Sequence, residues 1–185
     1  MSFRQYYSMD GKHEVSILRI GHRPGRDERI TTHVGLVARA FGADRVIFPD
    51  AASSSSSTIN EVSLNFGGPF KAESITNVSK FVKSWNGSIV HLTMYGQPLE
   101  SLMDDIILSH HSDPLLIIVG AEKVPFFIYE AADWNLSITN QPHSEIAALA
   151  IFLDRLFQGT ELNQSWDDAK QKIIPQKSGK LVEGN

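Results

Sequence analysis

The chain alternates short apolar runs with amphipathic stretches about six times, and this alternation constrains its fold more than any other feature. Runs such as "EVSILRIG" (Glu14 to Gly21) and "PLLIIVG" (Pro114 to Gly120) are typical of buried strands. The stretches between such runs carry capping residues and glycine stops, which are typical of helices. The pattern predicts an α/β fold with a mostly parallel sheet and helices on both faces.

The whole chain, residues 1–185, is predicted to form a single domain with a core over about residues 14–158. A polar C-terminal tail follows over residues 159–185, where "WDDAKQKIIP" predicts a short helix or an arm. The serine run "ASSSSS" (Ala52 to Ser57) predicts a flexible, exposed loop. The stretch "TTHVGLVARAFG" predicts a helix capped by threonine, with Gly42 as its stop.

Composition excludes several classes of protein. A hydrophobic share of 42% argues against disorder, and no apolar run reaches the roughly 18 residues of a membrane span. The start "MSFRQYYSMDGKHEV" lacks the apolar core of a signal peptide. There are no cysteines, which excludes disulfides, thiolate metal sites and a cysteine nucleophile. These features predict a cytoplasmic protein without a membrane partner.

Common catalytic fingerprints are missing from the sequence. "GAEKVP" is not the phosphate-binding G-x-x-x-x-G-K-[ST], and the turn after Ile20 is not G-x-G-x-x-G. No G-x-S-x-G elbow occurs, and no two of the seven histidines stand at chelating i, i+4 spacing. The sequence therefore predicts no metal site, and neither a common nucleotide triphosphatase nor a serine hydrolase.

Positive charge is concentrated near the first predicted strand. Six arginines and three acids lie between Arg19 and Arg45, in a chain whose net charge is −4. Three of these arginines, Arg23, Arg26 and Arg29, stand in "GHRPGRDER" directly after the strand. Guanidinium groups hold phosphate in a bidentate manner and stay charged near neutral pH. The segment is thus either a grip for an anionic partner or a solvated surface paired with its own acids.

Three further strand ends carry polar and glycine-rich loops: "MYGQP", "GAEKVP" and "NQPHSE". Ligands of open parallel sheets bind beyond the carboxyl ends of the strands. Gly120 permits close approach of the backbone to a ligand. Residue spacing alone does not distinguish a ligand-binding loop from an ordinary connection between a strand and a helix.

Three long segments carry a resemblance to a known family: "LRIGHRPGRDERITTHVGLVARAFGA", "IVHLTMYG" with "IIVGAEKVP", and "NQPHSEIAALAIFLDRL". Together they resemble the archaeal tRNA ribose 2′-O-methyltransferases that act on cytidine 56, a branch of the SPOUT superfamily. The resemblance covers most of the chain, with the motifs in the same order. It implies a C-terminal trefoil knot, a homodimer, S-adenosyl-L-methionine as methyl donor, and the T-loop of tRNA as substrate.

The resemblance also implies site residues. The cofactor is expected to contact Leu92, Gly120, Ala121, Glu122, Lys123, Val124, Ile138, Thr139, Asn140, Gln141, Pro142, His143, Ser144 and Glu145. The candidates for the catalytic residue near the 2′-hydroxyl are Arg23 first and Arg29 second. Because the pKa of arginine lies above about 12, such a residue is expected to clamp the neighbouring phosphate rather than act as a base. His22 and His33 are the alternative proton acceptors.

Three alternatives to this function stay open at the level of sequence; the third of them is an unrelated α/β enzyme that binds a nucleotide. The first is a SPOUT methyltransferase that acts on another RNA site, because loop composition does not distinguish the targets. The second is a non-catalytic RNA-binding α/β module, against which the intact "GAEKVP" and "NQPHSE" segments argue.

Overall fold

Strands and helices alternate along the chain as the sequence predicts. The computed structural model describes residues 13–21, 23, 26–120 and 123–184. In chain order the elements are β1 (Val15–Ile20), α1 (Glu28–Ala40), β2 (Arg45–Pro49), α2 (Ser53–Phe66), β3 (Lys71–Ile75), α3 (Val78–Lys83), β4 (Ser88–Pro98), α4 (Leu99–His110), β5 (Leu115–Gly120), α5 (Phe126–Ala131), β6 (Trp134–Ser137), α6 (Glu145–Phe157), β7 (Gln171–Ile174) and β8 (Leu181–Gly184). Short 3-10 helices occupy Asp50–Ala52 and Thr160–Asn163. None of the helices in these residues has both the length and the apolar surface needed to cross a membrane.

One six-stranded sheet in the order β3-β2-β1-β5-β4-β6 organises the molecule. Every pairing within this sheet is parallel, from β2–β3 at one edge to β4–β6 at the other. β1 and β5 lie at the centre and are buried almost throughout, which explains their nearly continuous apolar sequences. The predicted parallel sheet is confirmed.

Two apolar layers cover the two faces of the sheet. On one face, buried residues of β1 such as Ile17 pack with α1, α2, α4 and α6, where Phe152 and Leu153 are fully buried. On the other face, Leu18 and Ile118 pack with α3 and α5. The alternation of side chains along a strand sends Ile17 and Leu18 to opposite faces. Helices on both faces are therefore confirmed, as in an α/β domain.

The serine run is helical, so the prediction of a flexible loop was wrong. Residues 53–57 form the first turns of α2. Ser55 and Ser56 are buried, and the hydroxyl of Thr32 on α1 donates to Ser55 Oγ at 3.3 Å. Serine costs only about 0.5 kcal/mol relative to alanine in a helix, and its small side chain lets α1 and α2 approach closely. Packing between the helices outweighs the weak local preference for a loop.

Helix α1 begins three residues earlier than the threonine cap predicted. It starts at Glu28, and the backbone N–H of Thr31 donates to the carbonyl of Asp27 at 2.8 Å. Thr31 is buried within the first turn, and the Thr32 hydroxyl donates back to the carbonyl of Glu28 at 3.0 Å. Both threonines therefore lie inside the helix and do not cap it. Threonine is tolerated there when its hydroxyl donates a hydrogen bond to the preceding turn.

The C-terminal tail folds back onto the domain, and the prediction of a short helix at "WDDAKQKIIP" was wrong. This segment forms a turn followed by β7, which pairs with β8 in an antiparallel hairpin. The backbone N–H of Gly68, just after α2, donates to Asp168 Oδ1 at 3.0 Å. The β-branched Ile173 and Ile174 favour a strand over a helix. The tail is thus attached to the end of α2.

Replacing Gly68 with alanine is expected to loosen this attachment. Gly68 has a φ of 88°, and a Cβ there would lie 2.7 Å from the ring of Trp166. Gly68→Ala is expected to lower the free energy of unfolding by about 3 kcal/mol, from the left-handed backbone and the steric overlap together. Gly159→Ala is the matched control, because Gly159 has a φ of 76° with nothing near its Cβ position. Urea denaturation measures both, and equal losses would contradict a Trp166 contact.

Candidate functional site

A pocket of about 150 Å³ lies where the carboxyl ends of β4, β5 and β6 meet. This is the edge of a parallel sheet at which ligands bind. Six of the predicted cofactor residues line the pocket: Leu92, Gly120, Val124, Ile138, His143 and Glu145. The three loops chosen from the sequence thus converge on one cavity.

The remaining predicted cofactor residues fall into two groups. Six lie in the same loops but are not part of the lining: Lys123, Thr139, Asn140, Gln141, Pro142 and Ser144. Ala121 and Glu122 lie outside the described residues. The predicted loop segments therefore border the cavity, but only some of their residues line it.

Six lining residues were not predicted: His91, Thr93, Met94, Tyr95, Tyr129 and Ala148. His91 to Tyr95 continue the strand that contains Leu92, so the segment "HLTMYG" is the signal that could have found them. Tyr129 and Ala148 lie on α5 and α6, where helical periodicity gives no sign that a side chain faces a ligand cavity rather than the core. Met94 and Tyr95 are exposed, which places apolar surface at the mouth of the pocket.

The loop at the end of β4 is held in place by the loop after β6. β6 pairs first with Leu92 and then with Gln97, so the intervening residues of β4 bulge out of the sheet. The side-chain amide of Asn140 donates to the carbonyls of Met94 at 2.7 Å and Gly96 at 3.2 Å. Asn140 therefore shapes the pocket without lining it, by fixing the backbone of this bulge.

A buried polar network forms the wall between β4 and α5. His91 is fully buried, and its Nδ1 lies 2.8 Å from Oδ1 of Asn135. The Asn135 side-chain amide donates to the carbonyl of Tyr129 at 2.9 Å. The His91 ring meets the Tyr129 ring at right angles, with the centroids 4.6 Å apart. Burial lowers the pKa of His91, so the ring is neutral near physiological pH.

The polar start of α6 serves both as a helix cap and as a pocket wall. Ser144 Oγ accepts from the backbone N–H of Ile146 at 3.2 Å, which caps the helix. The next residue, Glu145, lines the pocket and lies 3.4 Å from Nη2 of Arg19. Arg19 is 1% exposed at the end of β1, and burial lowers its pKa while Glu145 and Asp27 favour the charged form.

The first candidate arginine, Arg23, is engaged within the protein. Its Nε and Nη2 donate to the two carboxylate oxygens of Asp27 at 2.9 and 3.0 Å, and its backbone N–H donates to Asp27 at 3.0 Å. These bonds from Arg23 lower the pKa of Asp27 to about 2. One edge of the Arg23 guanidinium group is therefore occupied in holding the turn before α1.

The second candidate arginine, Arg29, faces outward on the first turn of α1. In the described part of the chain, no acidic side chain forms an ion pair with it. His33, one of the alternative proton acceptors, is exposed one turn further along α1, and His22 lies outside the described residues. Of the two arginines, Arg29 is thus the one whose guanidinium is available to a partner.

The Arg23–Asp27 pair predicts a specific dependence of stability on pH. The pKa of Asp27 is lowered in the folded state, so its contribution is complete above the ordinary value of 3.8 and is lost as pH falls through about 2. Arg23→Gln is expected to lower the melting temperature at pH 6 and to match the wild type near pH 2. Thermal unfolding across this range measures the difference. Arg26→Gln is the control, and a pH-independent difference for Arg23→Gln would contradict the pairing.

Comparison with known proteins shows the family of the chain. The family model described as "tRNA ribose 2'-O-methyltransferase, aTrm56" matches residues 66–183. A protein of Natronomonas pharaonis is 55% identical and one of Halobacterium salinarum (strain ATCC 29341 / DSM 671 / R1) is 54% identical; both are named tRNA (cytidine(56)-2'-O)-methyltransferase. These alignments cover 95% and 94% of this chain, and 97% and 91% of the relatives.

A solved structure supports the fold independently. The SpoU methyltransferase AviRb from Streptomyces viridochromogenes, in complex with its cofactor AdoMet, superposes with a TM-score of 0.54 at 15% identity. The match covers 80% of this chain and 58% of AviRb, so the chain spans less than two thirds of that protein. The parallel sheet with helices on both faces is thus the SPOUT fold. By its family model and its relatives, the chain belongs to the family of tRNA ribose 2′-O-methyltransferases named for cytidine 56.

Proposed function

We propose that this protein transfers a methyl group from S-adenosyl-L-methionine to the ribose 2′-hydroxyl of cytidine 56 in the T-loop of tRNA. The main support is a sequence identity of 54–55% to relatives named tRNA (cytidine(56)-2'-O)-methyltransferase. Each alignment covers more than nine tenths of this chain and of the relative. The pocket at the carboxyl edge of the sheet lies within the matched region and supplies a place for the donor.

The chemistry of the pocket lining suits a nucleoside-containing molecule. Leu92, Val124 and Ile138 provide apolar walls, and Glu145 and His143 provide polar groups among them. An apolar cavity with a few converging polar groups is typical of cofactor sites. When bound, S-adenosyl-L-methionine supplies a sulfonium methyl group, and the three loops over residues 92, 120–124 and 138–145 are proposed to hold it.

Arg29 is the residue proposed to act on the RNA. An exposed guanidinium on the first turn of α1 can bind the phosphate next to the target nucleotide. Its charge stabilises negative charge that develops on the 2′-oxygen as the hydroxyl proton leaves to water, and it orients the hydroxyl by holding the adjacent backbone. It stays protonated throughout, because its pKa lies above about 12.

Arg23 is proposed to position this turn of the chain. Through Asp27 it fixes the residues just before α1, and Asp27 in turn lies close enough to Arg19 to stabilise its charge. Arg19 pairs with Glu145 in the pocket wall. We propose that these charges connect the arginine segment to the pocket electrostatically, through the pairs Arg23–Asp27 and Arg19–Glu145.

The same proposal includes the remaining features expected of the family. The protein acts as a single domain over residues 1–185 and as a homodimer, with a trefoil knot in its C-terminal part and a cytoplasmic location alongside tRNA. Ile30 on α1 and Ile151 on α6 are exposed, and α1 packs against α6, so these two helices are the proposed contact of the dimer.

Methyl transfer to an unmodified tRNA transcript tests the proposed function. The protein, the transcript and S-adenosyl-L-methionine are incubated, and nuclease fragments are mapped by mass spectrometry. A single 2′-O-methylcytidine in the T-loop is expected. Methylation at another position would favour a different RNA target, and cofactor binding without methylation of any RNA would favour the non-catalytic alternative.

A further inference from the structure

The hairpin of β7 and β8 is a strongly positive segment that the proposed mechanism does not use. Residues 169–182 contain four lysines and no acid, in a chain whose net charge is −4. Local positive charge on an otherwise acidic protein attracts anionic partners, and a basic patch is the electrostatic footprint of a nucleic-acid contact. The four residues are Lys170, Lys172, Lys177 and Lys180.

All four lysines are exposed to solvent. In the part of the chain that the structure describes, none of them forms an ion pair with an acidic side chain. The lysine ammonium group is a point charge on a flexible stem, and it binds phosphate oxygens without the fixed geometry that a guanidinium group requires. The hairpin therefore presents positive charge that its own domain does not neutralise by direct pairing.

The acids next to this segment lie at the root of the hairpin, where it joins the domain. Asp167 and Asp168 precede β7 in the sequence. Glu183 is directly opposite Lys172 in the register of the hairpin, one pair away from the end of the ladder at which the chain enters β7. These carboxylates reduce the positive potential at the root and leave the positive charge concentrated toward the tip.

The tip of the hairpin combines positive charge with open surroundings. β7 ends at Ile174 and β8 begins at Leu181, so the turn over residues 175–180 holds Lys177 and Lys180 and no acid. Gly179 in this turn has a φ of 92°, and no atom lies within 4 Å of the position that its Cβ would take. A macromolecule can therefore approach both lysines without displacing other parts of the protein.

The root of the hairpin is fixed to the edge of the sheet opposite the pocket. Asp168 accepts from the backbone N–H of Gly68, and β7 packs against α2. Gly68 lies between the end of α2 and the start of β3, at the edge where the parallel strands begin, whereas the pocket lies where they end. Contacts at the hairpin are therefore expected to affect the affinity for a large ligand and not the transfer of the methyl group.

We propose that Lys177 and Lys180 bind phosphate groups of the tRNA backbone, so that the hairpin is a second tRNA contact besides the arginine segment. This inference rests on the proposed function, which supplies the RNA partner, and it adds a surface that holds this partner. Lys170 and Lys172 add to the positive potential nearer the root. Phosphate contacts carry no sequence information, so the hairpin contributes affinity and orientation and does not select the nucleotide.

A double variant of the full chain, Lys177→Ala with Lys180→Ala, tests the proposal. Its Kd and KM for an unmodified tRNA transcript are expected to rise about ten-fold at low salt, because two phosphate contacts are lost. Its kcat at saturating tRNA and its Kd for S-adenosyl-L-methionine are expected to equal those of the wild type. In a plot of log Kd against log salt concentration, the slope is expected to become shallower by about two, roughly one for each lysine.

Two matched variants make the test specific. Lys80→Ala with Lys83→Ala removes two exposed lysines from α3, so the net charge changes equally, and this variant is expected to bind tRNA like the wild type. Lys177→Arg with Lys180→Arg keeps both charges at the tip and is expected to restore the affinity and the salt dependence. Melting temperatures confirm that each variant is folded.

The outcomes separate this inference from the proposed function. If the wild-type protein methylates tRNA and the alanine variant at the tip keeps its Kd and its salt slope, the hairpin contact is overturned and the function stands. An equal loss of affinity in the α3 variant also overturns it, because the effect would then come from net charge. If the wild-type protein neither binds nor methylates tRNA, the inference and the proposed function fall together.

Discussion

Arg29→Ala is expected to lower kcat for methyl transfer to tRNA by about 100- to 1000-fold, the usual loss when one preorganised charge donor is removed. The physical reason is that its exposed guanidinium is proposed to hold the phosphate beside the target ribose. The affinity of the Arg29→Ala variant for S-adenosyl-L-methionine is expected to be unchanged, because Arg29 is not among the residues that line the pocket. Single-turnover methylation and calorimetry measure the two quantities.

Matched arginine variants make this prediction specific. Arg26→Ala removes another exposed arginine two residues before α1 and is expected to have a much smaller effect on kcat. Arg29→Lys keeps the charge but not the bidentate fork, so an intermediate loss is expected. The assignment would be contradicted if Arg29→Ala kept a nearly wild-type kcat while Arg23→Gln was inactive but normally stable. The catalytic role would then belong to Arg23.

Gly120→Leu is expected to raise the Kd for S-adenosyl-L-methionine by about 100-fold or more, because it fills a cavity whose ligand contacts are mainly steric. Gly120 ends β5 in the lining of the pocket, and even a Cβ there would overlap Cγ2 of Val124. Gly120→Ala is the graded control, since rotation of Val124 can relieve that single overlap. Calorimetry measures the affinities, and melting temperatures confirm that both variants are folded. Normal binding by Gly120→Leu would place the cofactor elsewhere.

Local sequence signals predicted the elements of the fold well. The apolar, β-branched run "RVIFP", which ends in proline, is a local strand signal and forms β2 over Arg45–Pro49. Asparagine is a residue type that favours the start of a helix, and the Asn77 side chain caps α3 by accepting from the backbone N–H of Lys80 at 2.8 Å. Both signals depend only on neighbouring residues. The serine run was mispredicted because its helix is stabilised by α1, through the buried Ser55 and Ser56, and no local pattern carries that information.

The candidate site was predictable as loops but not as a network. Leu92, Gly120 and Glu145 line the pocket, and the sequence pointed to them because strand ends can be recognised from it. Arg19 was read as part of a basic segment, yet it is buried against Glu145, which is 126 residues away in the chain. His91 and Asn135 are 44 residues apart, and each looks like an ordinary strand residue. Such pairs depend on the order of strands in the sheet, which the sequence pattern does not specify.

A substrate that lacks a single oxygen tests the central claim most directly. A tRNA with 2′-deoxycytidine at position 56 is assembled by ligation and compared with the matched all-ribose tRNA, with methyl incorporation from S-adenosyl-L-methionine as the measurement. The proposed function predicts incorporation of a single methyl group into the ribose tRNA and none into the deoxy tRNA. Equal incorporation into both would contradict it, because the methyl group would then be going to a base or to another ribose.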